Sequence, residues 1–150
     1  MARSLQQSKV VVIGRGSGIA RACALAAADA GAEVIVAGRN TDALSQAYAE
    51  EGFDVERVDL TDEDSIRSFA ARVGEVDHLV STASARARGL LRELDRETVR
   101  TSFDTKVIGP LILAKHFIDR FRPGGSFTFF SGVAAFKPAI GYIGVALTNG

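Results

Sequence analysis

The chain has 150 residues, 47% hydrophobic and 24% charged, with 18 Lys plus Arg against 18 Asp plus Glu. That length sets a single domain over 1–150 as the expectation, and the zero formal net charge argues against a nucleic-acid footprint. The lone cysteine, Cys23, excludes an internal disulfide and reads as a small core residue. No apolar run is long enough for a bilayer and the N-terminus lacks a signal-peptide layout, so cytoplasm is the expected compartment.

Strand and helix signals alternate along the chain. Lys9–Ile13 is apolar and β-branched, as suits a central parallel strand covered on both faces. A glycine-rich turn follows, then an alanine-rich helix from Gly18 to Ala30 stopped by Gly31. Glu33–Ala37 is a second strand; Asn40 or Thr41 caps a helix running through Leu44 to Glu51. The third strand, Asp54–Val58, is more polar. Thr61 is placed as the cap of a helix from Asp62 to Val73 with Ile66, Phe69 and Val73 on one face. Asp77–Ser81 is a fourth strand. One long helix is predicted from Asp95 to Phe121, kinked where Pro110 removes a backbone donor. After Pro123-Gly124-Gly125 comes a fifth strand, Ser126–Phe130. Strict alternation predicts an α/β, Rossmann-type doubly wound parallel sheet, strand order 3-2-1-4-5, with a ligand crevice between strands 1 and 4.

The turn carries the first chemical signal. Gly14 lets the chain turn sharply, Gly18 lets backbone approach a phosphate, and the helix start offers unpaired N–H groups to an anion. These glycines do not fit Gly-x-Gly-x-x-Gly in register. Read as Gly14-x-x-x-Gly18-Ile19-Ala20, the segment resembles the short-chain dehydrogenase/reductase family, whose turn is Gly-x-x-x-Gly-Ile-Gly. Ala20 stands where that family has its last glycine. Val58-Asp59-Leu60-Thr61-Asp62 is similar to the family's Asp-Leu/Val step, which implies that Asp59 meets the adenine amino group with the Leu60 backbone beside it. Leu79-Val80-Ser81-Thr82-Ala83-Ser84 is similar to Val-Asn-Asn-Ala-Gly, keeping only Ala83; Ser81, Thr82 and Ser84 offer hydroxyls in place of the lost amides.

The resemblance implies a nicotinamide-dependent oxidoreductase of small carbonyl or alcohol substrates. Together with the end of the second strand, it puts Gly14, Arg15, Ser17, Gly18, Ile19, Arg39, Asn40, Asp59, Leu60, Thr82, Ala83 and Ser84 around the cofactor. That strand end chooses between cofactors. NAD sites place an acid there for the ribose hydroxyls; this chain has Val36-Ala37-Gly38-Arg39-Asn40, without a carboxylate. Arg39 offers charge-assisted hydrogen bonds to a 2′-phosphate, and Arg15 a second charge, so NADP(H) is expected rather than NAD(H). Methyltransferases of the same architecture also want an acid at this place.

The family's chemistry uses Tyr-x-x-x-Lys after strand five, a preceding Ser, and an Asn on the long helix. Aligning Phe130-Ser131-Gly132-Val133-Ala134 with Ile-Ser-Ser-x-Ala puts Gly132 at the serine, Val145 at the tyrosine and Asn149 at the lysine. Lys106-Val107-Ile108-Gly109 resembles Asn-Val-x-Gly, so Lys106 replaces the asparagine. All four positions depart. Ser131, Tyr142 and Lys106 remain as candidates for displaced chemistry, and two readings stay open: an oxidoreductase, or an NADP(H)-binding sensor or subunit without turnover. His78 and His116 read as structural or surface histidines. Arg86 and Arg88 read as a solvated loop, with an anionic substrate as the alternative; no His/Cys spacing suggests a metal. Family members continue beyond strand five, so the resemblance implies an open fifth strand. It also implies an uncovered helix face carrying Leu111, Leu113, Phe117 and Phe121, and therefore a homo-oligomer.

Overall fold

The computed structural model describes residues 5–137 and 139–150. Five parallel strands form one sheet in the order β3-β2-β1-β4-β5: β1 Lys9–Ile13, β2 Glu33–Gly38, β3 Asp54–Arg57, β4 Val76–Ser81 and β5 Phe121–Phe129. β1 is central and its Val10–Ile13 stretch is buried on both faces, which is why it carries no polar alternation. On one face Val10, Val12, Val34 and Val36 pack against Ala20, Ala24 and Ala27 of α1 (Gly18–Asp29) and Leu44 of α2 (Thr41–Ala47). On the other, Val11, Ile13, Ile35 and Leu79 meet Ile66, Phe69 and Val73 of α3 (Glu63–Val73).

Helix ends follow the local hydrogen-bond chemistry. Asn40 is the cap of α2, its Oδ1 accepting from Ala43 N–H at 3.0 Å. α2 stops at Ala47 rather than Glu51. Its end is held from α1: the Arg21 guanidinium donates to Ala47 O at 2.8 Å and pairs with Glu51 at 2.7 Å, while Tyr48 turns into the core. Asp62, not Thr61, caps α3, accepting from Asp64 N–H at 2.9 Å. Thr61 is engaged by Asp59 instead.

The expected single helix over 95–121 is corrected. Asp95 caps α4 (Arg96–Phe103), a π-helical turn spans Asp104–Ile108, and α5 runs from Gly109 to Phe117. Pro110 has no N–H to return to the turn before it; the chain absorbs the missing bond with an i→i+5 pairing, Gly109 N–H to Asp104 O. One 3-10 turn, Ile118–Arg120, then delivers Phe121 into β5, opposite Val76. Pro123-Gly124-Gly125 therefore lies inside the strand, where the pairing with β4 shifts register between Val76 and His78. Leu113 and Phe117, expected on an uncovered face, are fully buried against the sheet, and Phe121 packs at the edge of the same core. Leu111 alone of that set stays exposed.

Candidate functional site

The crevice opens where β1 ends between β2 and β4. Gly14 N–H donates to Ala37 O at 3.0 Å, and Thr82 N–H donates to Ile13 O at 2.9 Å, so the first turn and the loop after β4 leave the sheet side by side. A Cβ built on Gly14 would lie 2.3 Å from Thr82 Oγ1 and 2.8 Å from Ala20 Cβ. The Ala20 methyl, the departure noted from the sequence, thus fills space that Gly14 leaves empty. Gly16 is as constrained: its Cβ would stand 2.3 Å from Ala47 Cβ, because the turn lies against the end of α2. Gly18 differs. Its φ is +59°, and a Cβ there would meet nothing within 4 Å, so backbone conformation selects the glycine and the approach to α1 stays open. No side chain caps the first N–H groups of α1 and no acid occupies its first turn. The result is a bare set of donors aimed at an anion.

These parts border one cleft of about 920 Å³. Gly14, Arg15, Ser17, Gly18 and Ile19 form its floor at the turn; Arg39 and Asn40 line the β2 end; Asp59 and Leu60 stand after β3; Thr82, Ala83 and Ser84 stand after β4. The structure brings every expected cofactor-side residue to this cavity. It adds Gly38, Ala43, Thr105 and Arg86, which the motif comparison did not select. Gly38 had a readable signal, a glycine at a strand end; its Cβ would press on Gly14 O at 3.0 Å. Thr105 had none, since the π-helical turn that presents it follows from packing.

Electrostatics around the cleft are one-sided. Arg15, Arg39 and Arg86 line it and none forms an ion pair among the described residues, while Asp59 is the one lining carboxylate. Burial alone would raise the Asp59 carboxyl. Hydrogen bonds from Thr61 N–H and Oγ1–H, at 3.0 and 2.8 Å, with the charges of Arg39 and Arg57, bring it below the usual carboxylate range.

The four positions aligned with the family's catalytic set do converge at the exit of β5. A Cβ on Gly132 would sit 3.3 Å from Asn149 Oδ1, and Asn149 Nδ2–H donates to Val145 O at 2.7 Å along α6 (Ile143–Leu147). Lys106 Nζ–H donates to Phe130 O in the same corner. Burial and the nearby Arg86 cation hold the Lys106 ammonium below the ordinary lysine range. Ser131 Oγ–H is committed to Asn149 O at 2.5 Å, and the Tyr142 ring lies under the Arg88 guanidinium at 5.0 Å. The corner therefore brings the aligned positions together with neither a phenol nor a lysine at the aligned pair. His78 and His116 find partners distant in sequence, Ser126 Oγ at 2.9 Å and Glu63 Oε1 at 3.0 Å, both away from the cleft. Among the described residues no group of three potential metal ligands gathers, and no helix is long and apolar enough to cross a membrane.

Known proteins carry the same pattern. The profile of the short chain dehydrogenase family matches residues 8–144. The short-chain dehydrogenase/reductase ucsE of Acremonium sp is 34% identical, the match covering 97% of this chain and 63% of that protein. Mouse L-xylulose reductase is 32% identical over 77% of this chain and 50% of its own. The solved structure of a short-chain type dehydrogenase/reductase from Mycobacterium ulcerans superposes with a TM-score of 0.88 at 29% identity, covering 97% of this chain and 58% of that one. The chain thus spans between half and two thirds of the length of these three relatives. With the profile matched through all five strands, the chain belongs to the short-chain dehydrogenase/reductase family.

Proposed function

We propose that residues 1–150 act as one NADP(H)-binding domain in the cytoplasm, within a family of oxidoreductases acting on carbonyl or alcohol groups. The observation that carries the cofactor choice is the end of β2: Arg39 enters the cleft where an acid would serve a free ribose hydroxyl. Arg39 and Arg15 hold the 2′-phosphate, the Gly14–Gly18 turn and the open start of α1 take the pyrophosphate, and Asp59 with Leu60 borders the adenine. Thr82, Ala83 and Ser84 border the nicotinamide half. When bound, the nicotinamide supplies or accepts a hydride. The protein's part is to hold it against the sheet and to favour NADP(H) through the contact that Arg39 makes only with a 2′-phosphate. Titrating the protein with NADPH and with NADH, followed by nucleotide fluorescence, tests this. Equal affinity would refute the choice of NADP(H).

A second reading, a nucleotide-binding subunit or sensor without turnover, is favoured by one observation: Gly132, Val145 and Asn149 adjoin one another in the aligned catalytic corner and none exchanges a proton. Self-association belongs to the same proposal. Val107, Ile108, Leu111 and Ile118 are exposed on the π-helical turn, α5 and the 3-10 turn after it, an apolar set suited to a second copy. Light scattering checks it; a monomer at all concentrations would refute it.

A further inference from the structure

The loop after β4 is built, not solvated. Ser102 of α4, fully buried, donates its hydroxyl to Ala85 O at 2.7 Å. Arg88 N–H closes on Arg86 O at 3.0 Å, a tight turn that drives Ala87 inward until it is fully buried. Gly144 of α6 packs on it so closely that a Cβ there would stand 2.6 Å from Ala87 O, and Gly89 N–H bonds Gly141 O at 3.0 Å. With Ala87 pinned, Arg86 and Arg88 are presented outward on a rigid support. They diverge in use: Arg88 is parked over the Tyr142 ring, while Arg86 enters the cleft beside Thr105.

Arg86 has company of its own sign. Lys106, next to Thr105 in the widened helical turn, is half-buried with its ammonium on Phe130 O, and the Arg86 charge acts on it. No carboxylate pairs with Arg86, Arg88 or Lys106 among the described residues. Two unpaired cations on fixed backbone, one of them desolvated, repel each other until an anion joins them. Arg86 lines the crevice together with Thr105, the residue before Lys106, while Arg39 lines it at the end of β2. The nucleotide phosphates have their own partners there.

We propose that Arg86 and Lys106 form an anion subsite for the substrate, so that the carbonyl or alcohol compound taken by this site carries a carboxylate. Arg86 receives the carboxylate through charge-assisted hydrogen bonds, and Lys106 adds a second positive charge from behind it. This rests on the dinucleotide reading of the remaining cleft.

The test is an amide-resolved NMR titration of the whole chain with 2-oxobutanoate and, in parallel, its neutral counterpart 2-butanone. The expected result is saturable shifts at Arg86, Ala87, Thr105 and Lys106 with the acid, and at least about tenfold weaker binding of the ketone. Arg86→Gln, an exposed substitution, should weaken the acid about tenfold; Lys106→Met should act in the same direction. Equal binding of acid and ketone would overturn the subsite, as would shifts confined to Gly14–Gly18 or an Arg86→Gln protein that binds the acid normally. NADPH binding is read separately at Gly14 and Gly18. Its failure would sink the dinucleotide reading, whereas the subsite stands or falls on the amides of Arg86 and Lys106.

Discussion

Adding one methyl group at Gly14 should be among the costliest small changes near the crevice. Gly14 has no left-handed φ, so alanine there meets no backbone strain, and the cost is steric. The new Cβ would stand 2.3 Å from Thr82 Oγ1 and 2.8 Å from Ala20 Cβ. Neither neighbour yields easily. Thr82 is tied to Ile13 O through both its N–H and its hydroxyl, and Ala20 is a helix residue with no rotamer to change. Overpacking of this kind costs about 1–3 kcal/mol, and two such contacts put Gly14→Ala at the upper end, about 2–3 kcal/mol. In a chain of this size that lowers Tm by about 4–12 °C. The two clashes are separable. Combining Gly14→Ala with Thr82→Ala and Ala20→Gly removes both obstructing atoms, and should recover at least about 1 kcal/mol despite the roughly 1 kcal/mol that glycine costs inside α1. Urea unfolding of the single and combined variants, compared by midpoint at constant m, measures the coupling. A Gly14→Ala protein as stable as the parent, or a combined variant that recovers nothing, would refute the reasoning.

Three further outcomes are expected. Arg39→Ala should weaken NADPH about tenfold and leave NADH unchanged by calorimetry, the low end for a charge-assisted bond because Arg39 is exposed; an equal loss for both nucleotides would mean that Arg39 does not read the 2′-phosphate. The Asp59 carboxyl sits below its unfolded value, so its contribution to stability is present above about pH 4 and lost as pH falls through the folded pKa. Asp59→Asn should therefore flatten the fall in urea midpoint between neutral pH and pH 3, and an unchanged fall would contradict this. Without a phenol at Val145 or a lysine at Asn149, carbonyl-dependent NADPH oxidation should lack the roughly 10²–10⁴-fold contribution of acid–base catalysis, and Tyr142→Phe should change nothing. Brisk turnover abolished by Tyr142→Phe would make Tyr142 the acid.

Elements whose cause is local were legible from the residues alone. Val10–Ile13 reads as a strand buried on both faces, Gly31 as a helix stop, and Asn40 as one of two candidate caps, because each cause lies within a few residues. Ordered motifs at the strand ends made residues that line the crevice legible, because a doubly wound sheet brings the C-terminal ends of its strands to one crevice whatever the loops between them do. The rest depended on packing between segments distant in the chain. Phe121 left the expected helix because β4 offers Val76 as a parallel partner, and Leu113 and Phe117 are core because α5 lies on the sheet beside α3. The loop carrying Arg86 reads as solvated from its residues, yet it is rigid because Ser102 and Gly144, distant in the chain, close on Ala85 and Ala87. Helical periodicity, caps and turns are written within a few residues of where they act. Which surface a residue meets depends on strands and helices far along the chain, and no local pattern carries that information.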